Sequence, residues 1–398
     1  MSSLLRLCFL ILLLEGFVCV TAICAEAARY TAVPALALRT TYDDNVFSED
    51  VEDFEFRISP GLSLAAQTGK TRLEAIGVVD IIEFLKHSEL DHVDQRYDLS
   101  ATVTPTEVWQ VGLSGSYADD HTYDSALEES GIIAEPTRRK VWSVEPFLSV
   151  ALNDVNTVQS YYELTKVEYL DAIHPDSRVH GGGIHWLHDL KNGQTRISFL
   201  VSGNLAEYEQ SLGDLKQQTY RVMPGFEHQF SETLKTSLLA GLGYMQSEYP
   251  QLELTPSMTL QVATREESDY VYLVDGSLRW QLERLTLSAG VNRDINSSVY
   301  GENIVQDRIQ VGLGFRWSED WTCNLSATYY RSETKGSGQE ERSRTISVMP
   351  GLRYRIAEDF HFSLGYRYVS SENQITDRLT NQNRVWIQLS KAWPELFD

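Results

Sequence analysis

Cysteine, positive charge and long apolar runs are all scarce in this 398-residue sequence. It contains 4 cysteines, and its 34 lysines and arginines face 56 aspartates and glutamates, for a formal net charge of −22. A surface that acidic repels phosphate backbones, which argues against nucleic acid as a partner. A single run near the N terminus is long and apolar enough to cross a bilayer as a helix, so polytopic helical transporters and channels are excluded.

The N-terminal run has the pattern of a secretory signal peptide. Arg6 supplies a positive charge, residues 7–20 are apolar apart from Glu15 and Gly16, and Ala25-Glu26-Ala27 forms an A-x-A cleavage site. The sequence therefore predicts a cleaved leader over residues 1–27 and a single domain over residues 28–398.

Two other interpretations of this segment stay open, namely an uncleaved anchor and a lipoprotein attached at Cys24. The second is disfavoured because Ile23 stands where lipoproteins have a small residue. Cleavage after Ala27 would remove three of the four cysteines and leave Cys323 without a partner for an intramolecular disulfide.

The rest of the chain alternates between apolar and polar residues, in runs of roughly ten to fourteen. A clear example ends at Ala357-Glu358-Asp359, which turns the chain. Its apolar residues occupy every second position, at Ile346, Val348, Pro350, Leu352, Tyr354 and Ile356. A period of two held over such a length predicts strands with one apolar face.

Short and long connections between these runs alternate. Eight short turns are expected at residues 68–70, 105–107, 153–156, 191–193, 231–233, 283–284, 318–320 and 357–359. Long connections are expected between them, for example at 42–53, 119–137, 248–268 and 333–342. The eight turns pair sixteen strands, and one further strand at each end brings the count to eighteen. Because residues 252–264 are ambiguous, the prediction is sixteen to eighteen strands, with eighteen favoured.

An even number of strands with short turns at one rim and long loops at the other is typical of a bacterial outer-membrane barrel. We therefore predict an all-β, antiparallel, up-and-down transmembrane β-barrel. A soluble β-sandwich is the alternative, but its strands are shorter and its exposed face is polar. Aromatic residues near the strand ends favour interfacial girdles, at Tyr220, Phe230, Tyr270, Trp280, Trp317, Trp321, Tyr366 and Tyr368.

A short proline motif recurs on strands that run towards a tight turn, at Ser59-Pro60-Gly61, Met223-Pro224-Gly225 and Met349-Pro350-Gly351. Because proline cannot donate to a strand ladder, a bulge or local kink is expected at each position.

One stretch resembles a known family. Tyr42-Asp43-Asp44-Asn45-Val46-Phe47 after the first strand, followed by Ser59-Pro60-Gly61-Leu62-Ser63-Leu64, is similar to a family of outer-membrane β-barrel porins associated with exopolysaccharide and exosortase loci. The resemblance implies an outer-membrane barrel that serves as the exit for a secreted polysaccharide. It implies no catalytic residues.

Charged residues fall on the face opposite the apolar one. An arginine that faced lipid near the bilayer midplane would cost about 2–4 kcal/mol, so the lumen is the expected location of these side chains. The lumen-facing candidates are Arg72, Glu74, Arg196, Arg221, Glu227, Asp275, Arg279, Arg316, Arg353, Arg355 and Arg367. They either form a charge-patterned conduit or pair with one another to hold the wall together.

Enzymatic signals are weak. The acid–histidine neighbours Asp91-His92 and Asp120-His121 lie near loops, but such adjacent pairs are common by chance. The sequence therefore predicts no enzyme, no catalytic residues, no metal site and no cofactor.

The favoured function is a conduit for exopolysaccharide export in the bacterial outer membrane. A diffusion porin for general or small solutes is one alternative, and a plugged structural or adhesive barrel is another, with residues 248–268 as the plugging loop. The expected partners are outer-membrane lipid and lipopolysaccharide, the barrel-assembly machinery and, for export, periplasmic polysaccharide-export proteins. No nucleic acid is expected.

Overall fold

A computed structural model describes residues 29–46, 51–122, 137–171, 174–210, 213–254, 260–297, 303–335 and 342–394. Within these ranges the chain forms eighteen strands and a short 3-10 turn at Ser88–Leu90. The strands are β1 (Arg29–Asp43), β2 (Asp53–Gln67), β3 (Thr71–Phe84), β4 (His92–Thr106), β5 (Trp109–His121), β6 (Arg138–Asn153), β7 (Asn156–Tyr169), β8 (Ser177–Asp189), β9 (Thr195–Tyr208), β10 (Leu215–Gln229), β11 (Leu234–Leu254), β12 (Leu260–Gln281), β13 (Leu285–Ser297), β14 (Asn303–Arg316), β15 (Trp321–Lys335), β16 (Arg342–Ala357), β17 (Phe360–Asn373) and β18 (Arg378–Ala392). Among the described residues, no helix has the length and apolar character needed to span a membrane.

Each strand pairs antiparallel with its neighbours in sequence, and β1 pairs with β18 as well as with β2. The sheet therefore closes on itself, which confirms the predicted eighteen-stranded antiparallel barrel. The eight predicted short turns all join consecutive strands at one rim, which we call the short-turn rim, and the longer connections lie at the opposite, long-loop rim.

The connection predicted at residues 248–268 is mostly strand. Pairing between β11 and β12 continues from Glu248 and Glu266 to Leu254 and Leu260, so the hairpin extends where a long loop was expected. Tyr249 on this extension packs against the buried cluster formed by Ala206, Tyr208 and Leu215. The strand count does not change, and paired strands occupy residues 248–254 and 260–268, where the plugging loop was expected.

The seam between β1 and β18 is fastened at its long-loop end by the motif that resembles the porin family. The Asp43 carboxylate accepts hydrogen bonds from Gln382 and from Arg384, which opposes it across the seam. Asp44 accepts from the backbone N–H of Asn383, and the Asn45 amide donates to the carbonyl of residue 381. The motif thus has a structural role in closing the barrel.

One contact establishes which side of the wall faces the lumen. The Arg221 guanidinium on β10 donates to Asp294 on β13 over 2.9 Å, although two strands lie between them. Strands are about 4.8 Å apart, so β10 and β13 are separated by about 14 Å along the sheet, and a side chain bridges them only across the concave side. We call the side that carries Arg221 the inner face.

Residues that directly oppose each other in adjacent strands lie on the same face of the sheet. Starting from Arg221, the strand register therefore assigns residues of all eighteen strands to the inner or the outer face. The opposite, outer face is apolar over its middle, with exposed isoleucine, leucine and valine side chains. Aromatic residues flank this band. Towards the long-loop rim, Tyr117 contacts both Tyr97 and Trp142, with ring centroids 6.1 and 4.2 Å away. Towards the short-turn rim, Trp321 lies 4.5 Å from Tyr354. This is the surface that a bilayer-spanning barrel requires.

The expected bulges at the proline motifs are absent from the described strands. Pairing on one side of Pro60, Pro224 and Pro350 skips two residues and then resumes in the same register. Each proline therefore interrupts the ladder without shifting it. Each lies on the outer face, where its ring joins the apolar band.

Candidate functional site

The end of the β13–β14 hairpin is folded into the barrel. Ile295 and Val305 oppose each other. They lie four residues along their strands from the outer-face pair Val291 and Ile309, so alternation would place them on the outer face as well. They are nevertheless buried, at 3% and 4% exposed, in a cluster with inner-face residues, namely Met223, Met245, Val271 and Leu273. An outer-face pair reaches that cluster only if the hairpin end separates from β12 and lies across the inner side of the wall, while β14 stays paired with β15 as far as Asn303 and Lys335. We call residues 294–297 and 303–306 the hairpin tip.

The pairing of β13 with β12 ends just before the hairpin tip, which allows the tip to bend inwards. Pairing between β12 and β13 stops at Val274 and Arg293, whereas β12 continues to Leu260. Beyond that point polar bonds attach the tip to the inner wall. Arg221 donates to the Ile295 carbonyl over 2.7 Å.

Two further contacts hold the tip in place. The Asn303 amide donates to the Ser247 hydroxyl over 2.6 Å. A Cβ at Gly243 would lie 2.8 Å from the Ile295 Cδ1 atom, closer than such contacts normally come, so glycine at this position permits the close packing.

A polar cavity of about 630 Å³ lies beside the tip on the inner face. Amides and charged groups line it. The Asn292 amide donates to Asp275 over 3.1 Å, and Arg221 donates to the Asn204 side chain over 3.1 Å. This lining offers both donors and acceptors, which suits a hydroxyl-rich solute.

Two buried donors that line this cavity have no hydrogen-bond partner in the described part of the chain. Gln306 is 2% exposed, and its Oε1 atom accepts from the Asn296 amide while its Nε2 atom has no acceptor. The Nε atom of Arg308 is in the same situation. Unsatisfied buried donors are costly, and a bound solute or water would satisfy them.

A second polar region lies on the inner face near the short-turn rim. Four exposed basic residues, Lys235, Arg279, Arg316 and Arg353, follow one another along the arc from β11 to β16, and we call them the basic arc. Lys235 opposes Arg279 directly, while Thr322 lies between Arg316 and Arg353. Among the described residues, none of the four has a carboxylate within 4 Å.

The other predicted lumen residues mostly have acidic or basic neighbours. Arg72 pairs with Glu74, Arg196 pairs with Asp189 and opposes Glu227, and Arg355 pairs with Asp320. Arg367 opposes Arg384. The register places all eleven predicted residues on the inner face, but the structure separates them into a paired group and the unpaired basic arc.

Sequence reasoning missed the hairpin tip and the amide residues of the cavity. The apolar face is interrupted at Arg293 and Asp307, which oppose each other at outer-face positions, and this interruption is the signal that could have indicated the bend. The asparagines and glutamines look like ordinary polar residues on the inner face until the fold brings them together around one cavity.

At the long-loop rim, Asp53 organises the backbone around residues 86–87. Its carboxylate accepts hydrogen bonds from the backbone N–H groups of Phe54, Lys86 and His87 and contacts the His87 ring. Burial alone would raise the pKa of Asp53, but these hydrogen bonds outweigh it and hold the pKa below its ordinary value.

Comparisons with proteins of known structure agree with this geometry. The copper transporter OprC superposes with a TM-score of 0.52 at 12% identity, over 88% of this chain and 65% of OprC. At this identity the likeness shows a shared β-barrel fold. The chain thus spans about two thirds of the length of OprC.

Two proteins of Pseudomonas aeruginosa are also similar, and the first is an outer-membrane protein. OpdK gives a TM-score of 0.47 at 11% identity, covering 91% of this chain and 99% of OpdK. OccK2 (OpdF), solved in complex with glucuronate, gives 0.47 at 10% identity, covering 92% and 98%.

No protein-family model matches the sequence, and no curated protein matches it either. The likeness to OprC concerns the barrel fold alone. The association with exopolysaccharide loci remains a hypothesis from the sequence motif.

Proposed function

We propose that this barrel is an outer-membrane conduit for exopolysaccharide export, and that its cargo is anionic. The basic arc carries the proposal. In outer-membrane barrels the short turns face the periplasm, so the arc lies at the mouth that an exported chain enters. Unpaired basic side chains on a low-dielectric wall concentrate anions at such a mouth.

The polar cavity beside the hairpin tip supports a sugar cargo. Carbohydrate hydroxyls both donate and accept hydrogen bonds, and the cavity supplies amides, an aspartate and two arginines. A barrel of sixteen to eighteen strands leaves an aqueous channel, and the folded-in tip narrows it on one side. A chain attracted at the basic arc would pass the cavity before it reaches the long-loop rim.

Planar-bilayer recording tests the role of the arc. Replacing Lys235, Arg279, Arg316 and Arg353 together by glutamine removes four positive charges. The anion-to-cation permeability ratio is expected to fall on the order of threefold, which corresponds to about half a kT of potential at the mouth because anions and cations respond in opposite directions. The matched control replaces Arg72 and Glu74 by glutamine, which leaves the net charge of the lumen unchanged. An unaltered reversal potential in the fourfold variant would contradict the proposal.

Two experiments test whether the cargo is a polysaccharide, one in cells and one with a polymer added to the bilayer recording. Deletion of the gene is expected to abolish surface polysaccharide while precursors accumulate. A soluble uronic-acid polymer added on the short-turn side is expected to block the current of the wild type more than that of the fourfold variant. Normal surface polysaccharide in the deletion strain would remove the export assignment.

A diffusion channel for small anionic solutes is the second candidate. The cavity volume of about 630 Å³ favours it, because that space accommodates a small molecule. Uptake of monosaccharide acids into vesicles, together with unchanged surface polysaccharide on deletion, would select this candidate. A plugged structural barrel would show neither steady conductance nor uptake.

A further inference from the structure

Three side chains that sequence analysis left apart meet at the long-loop ends of β4 and β5. The His121 Nδ1 atom lies 3.0 Å from Asp94 Oδ1, and the His92 Nε2 atom lies 3.6 Å from Asp94 Oδ2. The two imidazole rings are 4.1 Å apart between centroids. The cluster lies beyond the outer aromatic residues Tyr97 and Tyr117, nearer the long-loop rim.

The ligand-type atoms of this cluster have the spacing of a metal centre. One atom from each side chain can be chosen so that all three lie within 4.8 Å of one another. A tetrahedral ion with bonds of about 2.0–2.2 Å needs ligand atoms about 3.3–3.5 Å apart. The two imidazoles approach the two oxygens of the Asp94 carboxylate to 3.0 and 3.6 Å, so small movements of the side chains bring the ligand atoms to this spacing.

The orientation of His92 is a second, independent observation. Its Nδ1 atom lies 2.6 Å from the Leu90 carbonyl, which can only accept, so Nδ1 donates. The Nε2 atom is directed at the Asp94 carboxylate, which is also an acceptor. This contact is satisfied either by a proton on Nε2 or by a cation bound between the two atoms. A backbone carbonyl that fixes the ring of a histidine is the usual outer support of a metal ligand.

The neighbouring charges leave Asp94 available. Asp119 is paired with Arg138, and Asp120 is paired with Arg139. Asp94 itself has no lysine or arginine within 4 Å among the described residues. The three side chains are 12%, 20% and 21% exposed for His92, Asp94 and His121, so an ion can reach them from solvent.

We propose that His92, Asp94 and His121 form a binding site for a divalent transition ion of the Zn²⁺ type. Two imidazoles and one carboxylate are a donor set that such ions prefer over Mg²⁺ and Ca²⁺. Three protein ligands leave a coordination position for water or for a group of a bound solute. The site ties β4 to β5 above the membrane band and does not depend on the transport proposal.

Calorimetric titration of the full-length protein, purified in detergent without a histidine tag and stripped of metal, tests this site. The probe is ZnCl₂ in a large excess of MgCl₂, which occupies the carboxylates of an acidic surface. One equivalent of Zn²⁺ is expected to bind and to raise the melting temperature. His121→Gln and Asp94→Asn should each weaken binding by at least about tenfold, since loss of even a supporting residue costs 10–100-fold.

His188→Gln is the matched control, because His188 bonds to Asn156 away from the cluster, and its Zn²⁺ affinity should equal that of the wild type. The visible spectrum of the Co²⁺ form gives a readout that does not depend on stability, and its bands should be lost in Asp94→Asn. Far-ultraviolet circular dichroism checks that each variant is folded. Absence of Zn²⁺ binding in excess Mg²⁺, or equal binding by folded wild type and cluster variants, would overturn the site.

Discussion

The long-loop end of the inner wall and the basic arc at its short-turn end use charge in opposite ways. Near the long-loop rim, acidic side chains are engaged by partners, as in the Asp43–Arg384 and Asp120–Arg139 pairs, and the hairpin tip is bonded to the wall. Near the short-turn rim, the basic arc is exposed and lacks such partners. Paired charges hold a surface in shape, whereas unpaired ones act on whatever approaches it. The contrast separates paired charges with a structural role from the basic arc, to which the proposed selection of solutes is assigned.

The largest expected effect comes from breaking the paired end at the seam. Asp43→Ala leaves the largely buried guanidinium of Arg384 without its carboxylate, and the free energy of unfolding should fall by about 3–5 kcal/mol. Urea unfolding in lipid vesicles, followed by tryptophan fluorescence, measures it. The exposed Arg72→Gln variant at the other end should lose no more than about 1 kcal/mol. An equal loss of unfolding free energy in the two variants would contradict the proposed difference between the two ends of the wall.

A somewhat smaller effect is expected from loosening the hairpin tip. Ile295→Ala removes buried contacts with Leu273 and Met245 and should destabilise the packed tip by about 2–5 kcal/mol. Amide hydrogen exchange should then accelerate at the hairpin tip, and single-channel conductance should rise or become noisier. Ile309→Ala, which removes an outer-face side chain of β14, is the control. If both variants conduct like the wild type, the tip does not restrict the channel.

The smallest of the three concerns Asp53. Asp53→Asn should destabilise the segment around residues 85–91 by about 1–3 kcal/mol at neutral pH, because backbone donors lose their charged acceptor. The pKa of Asp53 is lowered in the folded protein, so its contribution is complete above the unfolded pKa of about 3.9 and is lost as pH falls through the folded value. The gap between wild type and variant should therefore close in acid. Hydrogen exchange of this segment at several pH values measures it, and a gap that widened in acid would refute the assignment.

Alternation and turn chemistry were sufficient to predict the barrel. Each strand has to present one face to lipid, so the period of two is enforced along almost the whole chain, and the eight short turns can be located from it. Residues 248–268 were misjudged because a hairpin that projects beyond the membrane no longer needs an apolar outer face. Its strands are held instead by backbone pairing and by packing of Tyr249.

The candidate sites were harder to predict, for two physical reasons. The face of Arg279 or Arg316 follows from parity alone, but whether an arginine lies near a carboxylate depends on register and rotamer. The hairpin tip depends on where the pairing of β12 with β13 ends, at Val274 and Arg293. The His92–Asp94–His121 cluster depends on where the pairing of β4 with β5 ends, at Gln95 and Asp119. Where the pairing of two strands ends, the strands are free to bend, so their side chains no longer alternate strictly between the inner and the outer face.

The seam between β1 and β18 also governs how the molecule is made. It pairs residues that lie between 341 and 357 positions apart in the chain, and β18 is synthesised after all the other strands. Contacts of such separation form late, because loop-closure entropy is lost before they can stabilise anything. Until then the nascent sheet has two free edges with unpaired N–H and C=O groups, which are templates for pairing with another chain. Synthesis interrupted before β18 therefore yields an open sheet that can add a second copy of itself at either edge.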